Sequence, residues 1–374
     1  MPCMDILITI LCATIVLGFL VFIHEGGHFL AARAFGVRVS EFMIGFPGPS
    51  LSFKRGETRF GVTCVPLGGY ARVCGMEAGE RSPHLQTVLA CVYRHGTMDL
   101  EDVAEACFIP VDDAEMALFE LVEWGSLTGP KKTDPYNTFR APETPKWTKR
   151  QLKKRQAAGL PDPVYYEEGQ ARPVEDAAAL YQAELSQQYC NLPFWKRCVI
   201  LFAGPGINVL FALLAFVLIY SVLGFDVQYQ DSGEVVHMTV DPLRAIVAGF
   251  SYIGMVIAAV ASLFNPATVA QTVSDSTSVV GIAVMSKSAF EAGFTNALAF
   301  MAMISTSLGI MNLLPIPPLD GGRLVVEVIQ KIRRKNVSLR AMNIATMVGM
   351  GLFLLLFVVM LNQDIQRFIF GNWS

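Results

Sequence analysis

The sequence predicts an α-helical polytopic membrane protein: four transmembrane helices, a membrane-associated β-hairpin and a small winged-helix-like cytoplasmic insert. Three observations lead there. Of 374 residues, 53% are hydrophobic and only 16% charged, and the mean hydropathy is positive, which lies outside the range of ordinary soluble domains. Four uncharged runs, 6–23, 199–225, 292–319 and 341–361, are long enough to cross a bilayer. Between the first two lies a long polar stretch. The expected organisation is a first helix and hairpin (1–74), the insert (75–191), a second helix (192–225), an outer loop (226–291), and the third and fourth helices (292–374).

The first run closes on His24-Glu25-Gly26-Gly27-His28. Residues four apart share one face of a helix, so both imidazoles can reach one Zn2+, while Glu25 stands beside the metal to handle the proton of a bound water. The pentapeptide is short enough to arise by chance. Inside a membrane span, however, each ionisable side chain costs roughly 2.5–3.5 kcal/mol on insertion scales and needs a partner, a metal or water. Three within a turn and a half are read as a metal site. Asp5 precedes the apolar core and no basic segment does, so a cleaved signal peptide is not expected.

Residues 58–73 alternate in the strand manner around Gly68-Gly69, which predicts a hairpin whose exposed edge could take an extended peptide as an added strand. In the insert, Leu85, Val88, Leu89 and Val92 fall on one helical face. A second helix is read over 100–108 and a third over 112–124, with Ala114, Leu118, Leu121 and Val122 inward. Three short helices with a strand-prone tail resemble a winged-helix domain. A DNA-reading third helix should be basic, yet this one carries Asp112, Asp113, Glu115, Glu120 and Glu123, so a cytoplasmic protein partner is expected rather than nucleic acid.

The basic run 146–155 with Trp147 reads as a membrane-surface contact or solvated linker, 131–173 as a flexible linker, and 175–188 as a helix returning to the membrane. His84 and His95 read as ordinary surface residues. The eight cysteines show no C-x-x-C spacing, so neither a cysteine zinc knuckle nor a redox motif is indicated.

Basic residues orient the spans. Arg33, Arg38, Lys54, Arg55 and Arg59 follow the first, Lys196 and Arg197 precede the second, and Lys331, Arg333, Arg334, Lys335 and Arg340 separate the third from the fourth. Those flanks should be cytoplasmic and both chain ends outside. A fifth apolar run, 245–264, cannot be a complete crossing under that parity, so it is expected to lie on the outer interface or re-enter.

The third run ends in Asn312-Leu313-Leu314-Pro315-Ile316-Pro317-Pro318-Leu319-Asp320-Gly321-Gly322. Proline removes amide donors and stops the helix, and irregular backbone at membrane depth is tolerated only against protein or a water-filled cavity. Catalytic zinc usually takes three protein ligands, and two histidines leave it one short. Asp320 is the candidate third.

Taken together and in this order, the two motifs resemble the site-2 protease family of intramembrane zinc metalloproteases. The similarity extends to Phe202-Ala203-Gly204-Pro205-Gly206-Ile207-Asn208, which is like the family's A-G-P-x-x-N signature, and to Val65-Pro66-Leu67-Gly68-Gly69-Tyr70. It covers about residues 1–75 and 190–365. The resemblance implies that His24, His28 and Asp320 bind Zn2+, that Glu25 is the general base, and that peptide bonds of transmembrane helices are the substrate. Asn312 and Asn208 are assigned to substrate or oxyanion contacts, with helix-to-helix hydrogen bonding as the alternative. Gly68, Gly69, Pro315 and Pro317 are expected substrate contacts, because a helical substrate must be held open to be cut.

The chain also departs from the family. It has no room for the outer PDZ domain of many bacterial members, and the motif Ser278-Val279-Val280-Gly281-Ile282 is altered from the usual Gly-Pro-Val-Gly-Ile. The expected activity is intramembrane proteolysis, in a bacterial inner membrane, of a single-pass protein such as an anti-sigma factor, or clearance of signal-peptide remnants. The alternative is a catalytically idle membrane scaffold that senses or recruits a partner through its insert.

Overall fold

The fold comes from a computed structural model, which describes residues 2–45, 48–64, 68–77, 79, 81–145, 149–159, 162–228, 235–335 and 337–368. Val65-Pro66-Leu67, Trp147 with the start of the basic run, and residues 229–234 lie outside the described residues.

Helix α1 (Pro2–Ala34) carries Asp5 in its first turn and Arg33 in its last, each opposite the local pole of the helix dipole, and the left-handed Gly36 (φ 80°) follows its end. Four strands follow: β1 (Val39–Ile44), β2 (Ser50–Arg55), β3 (Thr58–Thr63) and β4 (Gly69–Val73). They form one sheet in the order β2-β3-β1-β4. This corrects the expected hairpin over 58–73. Strands β3 and β4 do not pair; β1 lies between them, parallel to β3 and antiparallel to β4. A central strand is covered on both faces, and in β1 the adjacent Phe42 and Met43 are both buried, so its sequence does not alternate. The true hairpin is β2-β3, turning at Gly56 (φ 66°).

The insert contains α2 (Leu85–His95), β5 (Thr97–Asp99), α3 (Leu100–Cys107), α4 (Val111–Glu123), β6 (Thr138–Arg140), α5 (Lys149–Ala157) and α6 (Ala177–Leu185). Strands β5 and β6 pair antiparallel, with Thr128 bridging to Arg140. Leu85, Val88, Leu89 and Val92 meet Leu118, Leu121, Trp124 and Phe139 in one core. Each such fully buried side chain is worth about 1.5–3 kcal/mol, so the insert has a core of its own. The 131–173 stretch, expected to be flexible, is instead tied to that core through Gly169 N to Ala141 O (2.8 Å) and Arg172 N to Tyr93 O (2.8 Å). Buried Arg38 fastens the insert to the sheet, reaching Glu184 (2.8 Å), Glu57 (3.3 Å) and the Trp124 carbonyl (3.3 Å).

The chain continues through α7 (Phe194–Val217) with its π-helical last turn, the pair β7 (Phe225–Gln228) and β8 (Val235–Met238), α8 (Pro242–Ser262), α9 (Val269–Asp275) and α10 (Val279–Glu291). It ends with α11 (Phe294–Asn312), α12 (Asp320–Arg333) and α13 (Leu339–Phe368). Among the described residues five helices are long and apolar enough to cross a membrane: Met4–Ala34, Phe194–Leu223, Pro242–Ser262, Phe294–Asn312 and Leu339–Arg367. The protein is a multi-pass membrane protein. Their outer faces carry large exposed apolar side chains such as Leu7, Leu214, Phe250 and Leu355, as lipid contact requires. Four runs were expected to cross, and α8 meets the same length and apolarity.

Two contacts locate the ends of α8. Val240 N, just before it, bonds Tyr220 O near the end of α7 (2.9 Å). Beyond it, Ser262 bonds Thr272 in α9 (2.6 Å), and Arg367 of α13 reaches the carbonyls of Ser274 and Ser276. The altered motif at Ser278 opens α10, whose first amides are capped from α13. Buried Asp364 accepts from Ser278 N (2.8 Å) and Gly281 N (2.9 Å).

Candidate metal centre

Three elements converge in the bundle. Helix α1 brings His24, Glu25 and His28; α7 crosses it closely; the loop after α11 delivers Asp320 as the first residue of α12. Glycine permits the first approach. A Cβ on Gly27 would sit 2.8 Å from Ala203 C, backbone that cannot yield. After Asn312 the chain breaks at Pro315, Pro317 and Pro318 and folds back over the start of α12. A Cβ on Gly321 would overlap the Leu313 carbonyl and one on Gly322 would sit 2.6 Å from Ile316 C, so both glycines are required for Asp320 to point inward.

His24 Nε2 and His28 Nε2 each lie 3.2 Å from Asp320 Oδ2, and 3.4 Å from one another. A tetrahedral ion with bonds of about 2.0 Å holds its ligand atoms roughly 3.3 Å apart, so this near-equilateral triangle is one face of such a tetrahedron. Both imidazoles are buried, at 7% and 8% exposure, and Asp320 is half-buried. Among the described residues this is the one group of three or more His, Cys, Asp or Glu that could hold a metal ion.

The surroundings fit an ion. His28 Nδ1 donates to Ile200 O (2.8 Å), which leaves Nε2 as the lone-pair nitrogen facing Asp320. Gly204 leaves the space beside that nitrogen open; a Cβ there would overlap His28 Nε2. On His24, Nδ1 meets the fully buried Asn208 amide at 3.2 Å, while Asn208 Oδ1 is buried without a partner. Turning the amide half a turn puts that oxygen on Nδ1–H, which satisfies both groups and frees His24 Nε2 for a metal.

Glu25 lies on the same helix beside the cluster. Its Oε2 accepts from Ala71 N (2.9 Å), an amide of β4 that turns away from β1. The edge strand β4 therefore runs past the glutamate. Gly69 allows this, because a Cβ would sit 2.7 Å from Val21 Cγ1 and 3.3 Å from Glu25 Cγ. Gly68, at φ 84°, accepts from Gly45 N (2.7 Å). Asn312 donates to Leu308 O of its own helix (3.0 Å). The sequence reading missed how Gly27 and Gly204 bring α1 and α7 together, although small residues at a helix crossing are a usable signal. It also missed Glu327, two turns beyond Asp320 on α12, which is held by Tyr189 Oη (3.1 Å) and Arg197 (2.9 Å) and had no local pattern to betray it.

A membrane bundle built around two histidines, a carboxylate and a neighbouring glutamate is the architecture of a metallopeptidase that works inside the bilayer. The model of Peptidase family M50 matches residues 12–356, and the chain belongs to that family. It is similar to the regulator of sigma-W protease RasP of Bacillus subtilis, at 25% identity over 96% of this chain and 98% of that protein. It is also similar to zinc metalloprotease RasP of Geobacillus kaustophilus, at 24% over 96% and 98%, and to probable protease eep of Enterococcus faecalis, at 24% over 97% and 100%. The protein is thus an intramembrane zinc metalloprotease acting on membrane proteins.

Proposed function

We propose that His24, His28 and Asp320 hold the zinc, that Glu25 is the general base, and that the substrate is laid along the β4 edge to be cut. The triangle of donor atoms, 3.2–3.4 Å on each side, carries this reading. Zinc bound there supplies a Lewis acid and lowers the pKa of a water. Glu25 takes up the proton that water loses and returns it to the leaving amide nitrogen. Asn208 and the Ile200 carbonyl fix the two imidazole tautomers. Gly68 and Gly69 bring the edge strand to Glu25, and the Pro315–Pro317 backbone, with Asn312 at its start, lines the substrate's path beside Asp320.

Four helices cross, and α8 lies on the outer interface or re-enters, with both of its ends on the outer side. Its start is tied to the end of α7, and its far end, through α9, to the C-terminal end of α13, which basic-residue parity puts on the same side. Both termini then lie outside a bacterial inner membrane. The sheet and insert face the cytoplasm, where the helix-strand-helix-helix-strand order of 85–140 supports a winged-helix-like unit that binds a cytoplasmic protein. The substrate class is a single-pass regulator of the anti-sigma type, in keeping with the name of the Bacillus subtilis relative.

The test is zinc content together with cleavage of a reporter transmembrane substrate in proteoliposomes. Wild type should hold one zinc per chain and cleave. His24→Ala should lose both properties, whereas Glu25→Gln should keep the zinc and lose cleavage by about 10²–10⁴-fold. Undiminished cleavage by Glu25→Gln would overturn the assignment of Glu25 and point to a different catalyst.

A further inference from the structure

Four cations gather around one open cleft at the ends of the membrane spans. The cleft, of about 510 Å3, is lined by Arg197 from the first turn of α7, by Gln330 and Lys331 near the end of α12, and by Arg334 and Lys335 just past it. Helix α7 begins one span, and α12 joins the end of α11 to the start of α13. Lys331 Nζ lies 6.0 Å from the ring of Phe194, the first residue of α7, so the two elements meet there. A single carboxylate answers this charge. Glu327, buried at 8% exposure, pairs with Arg197 (2.9 Å) and accepts from the Tyr189 hydroxyl (3.1 Å). Among the described residues Lys331, Arg334 and Lys335 form no ion pair, which leaves three positive charges in surplus.

Basic residues beside a membrane span are ordinary, because they orient the chain, but for that purpose they need only be near the surface and not converge. Nor does a helix end account for so many. The C-terminal pole of α12 amounts to about half a negative charge, against three unpaired cations. At α7 the sign is wrong. Its first turn holds Lys196 and Arg197 with no acidic residue, and Pro193 offers no side-chain cap, so two cations stand at a positive pole. That arrangement costs stability unless an anion sits between the two elements.

The neighbouring surface indicates what carries the anion. On α12, Val325, Val328, Ile329 and Ile332 fall at i, i+3, i+4 and i+7, and all are exposed, Ile332 at 76%. Trp195 is exposed next to Arg197 in the chain. An apolar stripe and a tryptophan flanked by cations at the ends of spans is the pattern of a helix lying in the bilayer interface. We infer that the cleft binds the headgroup phosphate of one anionic phospholipid, whose acyl chains pack against the 325–332 stripe. A soluble phosphate compound would use the cations and leave the stripe in water. The lipid ties the end of α12 to the start of α7, and α12 carries Asp320 at its other end. Its binding does not depend on the peptidase chemistry.

The test is native mass spectrometry of the delipidated, full-length, zinc-loaded protein in detergent, titrated with phosphatidylglycerol, with phosphatidylcholine and with inorganic phosphate. Wild type should retain one phosphatidylglycerol tightly and no phosphatidylcholine. Each cation near a membrane surface is worth about fivefold in affinity, so Lys331→Gln/Arg334→Gln/Lys335→Gln should weaken that one site roughly 100-fold. All three side chains are exposed, so the core is untouched, and a melting midpoint equal to wild type confirms the fold. Ile332→Ser should also weaken phosphatidylglycerol binding, with every cation in place. The same loss of charge from the sheet, in Lys54→Gln/Arg55→Gln/Arg59→Gln, should leave the site intact. Equal retention of phosphatidylglycerol by wild type and the cleft variant would overturn the inference. So would an equal loss in the sheet variant, which marks diffuse attraction, or displacement of the lipid by inorganic phosphate, which assigns the cleft to a soluble anion.

Discussion

Replacing Gly204 by alanine tests the centre without touching a donor. Alanine is favoured over glycine in a helix interior by about 1 kcal/mol, so α7 itself should gain stability. The added methyl carbon, however, would stand 2.7 Å from both Cδ2 and Cε1 of His28. Nε2 itself would be only 2.2 Å away, and an ordinary contact is about 3.5 Å, so the ring must retreat by roughly 1.3 Å. It is poorly placed to do so, being 8% exposed and tied by Nδ1 to Ile200 O at 2.8 Å. Metal–nitrogen bonds tolerate about 0.2 Å, so a displacement of this size removes His28 from the coordination sphere. The expected outcome is a folded protein, with an unfolding midpoint at or above wild type, that loses zinc on dialysis against a mild chelator and no longer cleaves. Metal analysis beside a thermal melt in detergent separates the two effects. A Gly204→Ala protein that keeps one zinc per chain and wild-type turnover would refute the placement of the ion beside His28.

Asn208→Leu removes the group that sets the His24 tautomer and should weaken zinc binding about 10- to 100-fold, read by chelator competition. Glu327→Ala strands the Tyr189 hydroxyl and Arg197 and should cost roughly 3 kcal/mol, seen as a lower melting temperature that Glu327→Gln partly restores. Burial, with Glu77 nearby, lifts the Glu123 pKa from an ordinary 4.5 to about 7. The folded state therefore keeps a proton that the unfolded chain has already lost, and its stabilisation is complete below pH 4.5 and lost as pH rises through 7. Wild type should melt lower at pH 8 than at pH 5, by at most about 3 kcal/mol, relative to a flat Glu123→Gln reference.

The centre was largely legible because its chemistry is written at short range. His24 and His28 share a face by helical periodicity alone, and Asp320 sits in a proline-broken, glycine-flanked segment that has no reason to lie in a membrane unless it serves a cavity. The insert's helices were legible from amphipathic period, with Leu85, Val88, Leu89 and Val92 all buried. The sheet was not. Its order depends on β1 pairing in parallel with β3 and antiparallel with β4, and a central strand covered on both faces leaves no alternating signature. Nor could spacing show that Asn208 meets His24, or that Glu327 anchors α12, since those contacts join residues 184 and 138 positions apart.

The bond from Ala71 N to Glu25 makes one carboxylate serve two surfaces. At rest that amide of the edge strand is satisfied by the carboxylate proposed as the base. A polypeptide that aligns in register with β4 has to claim that amide for its own carbonyl. On the proposed mechanism this frees the carboxylate, so the base would be released only where an unwound chain has already been seated.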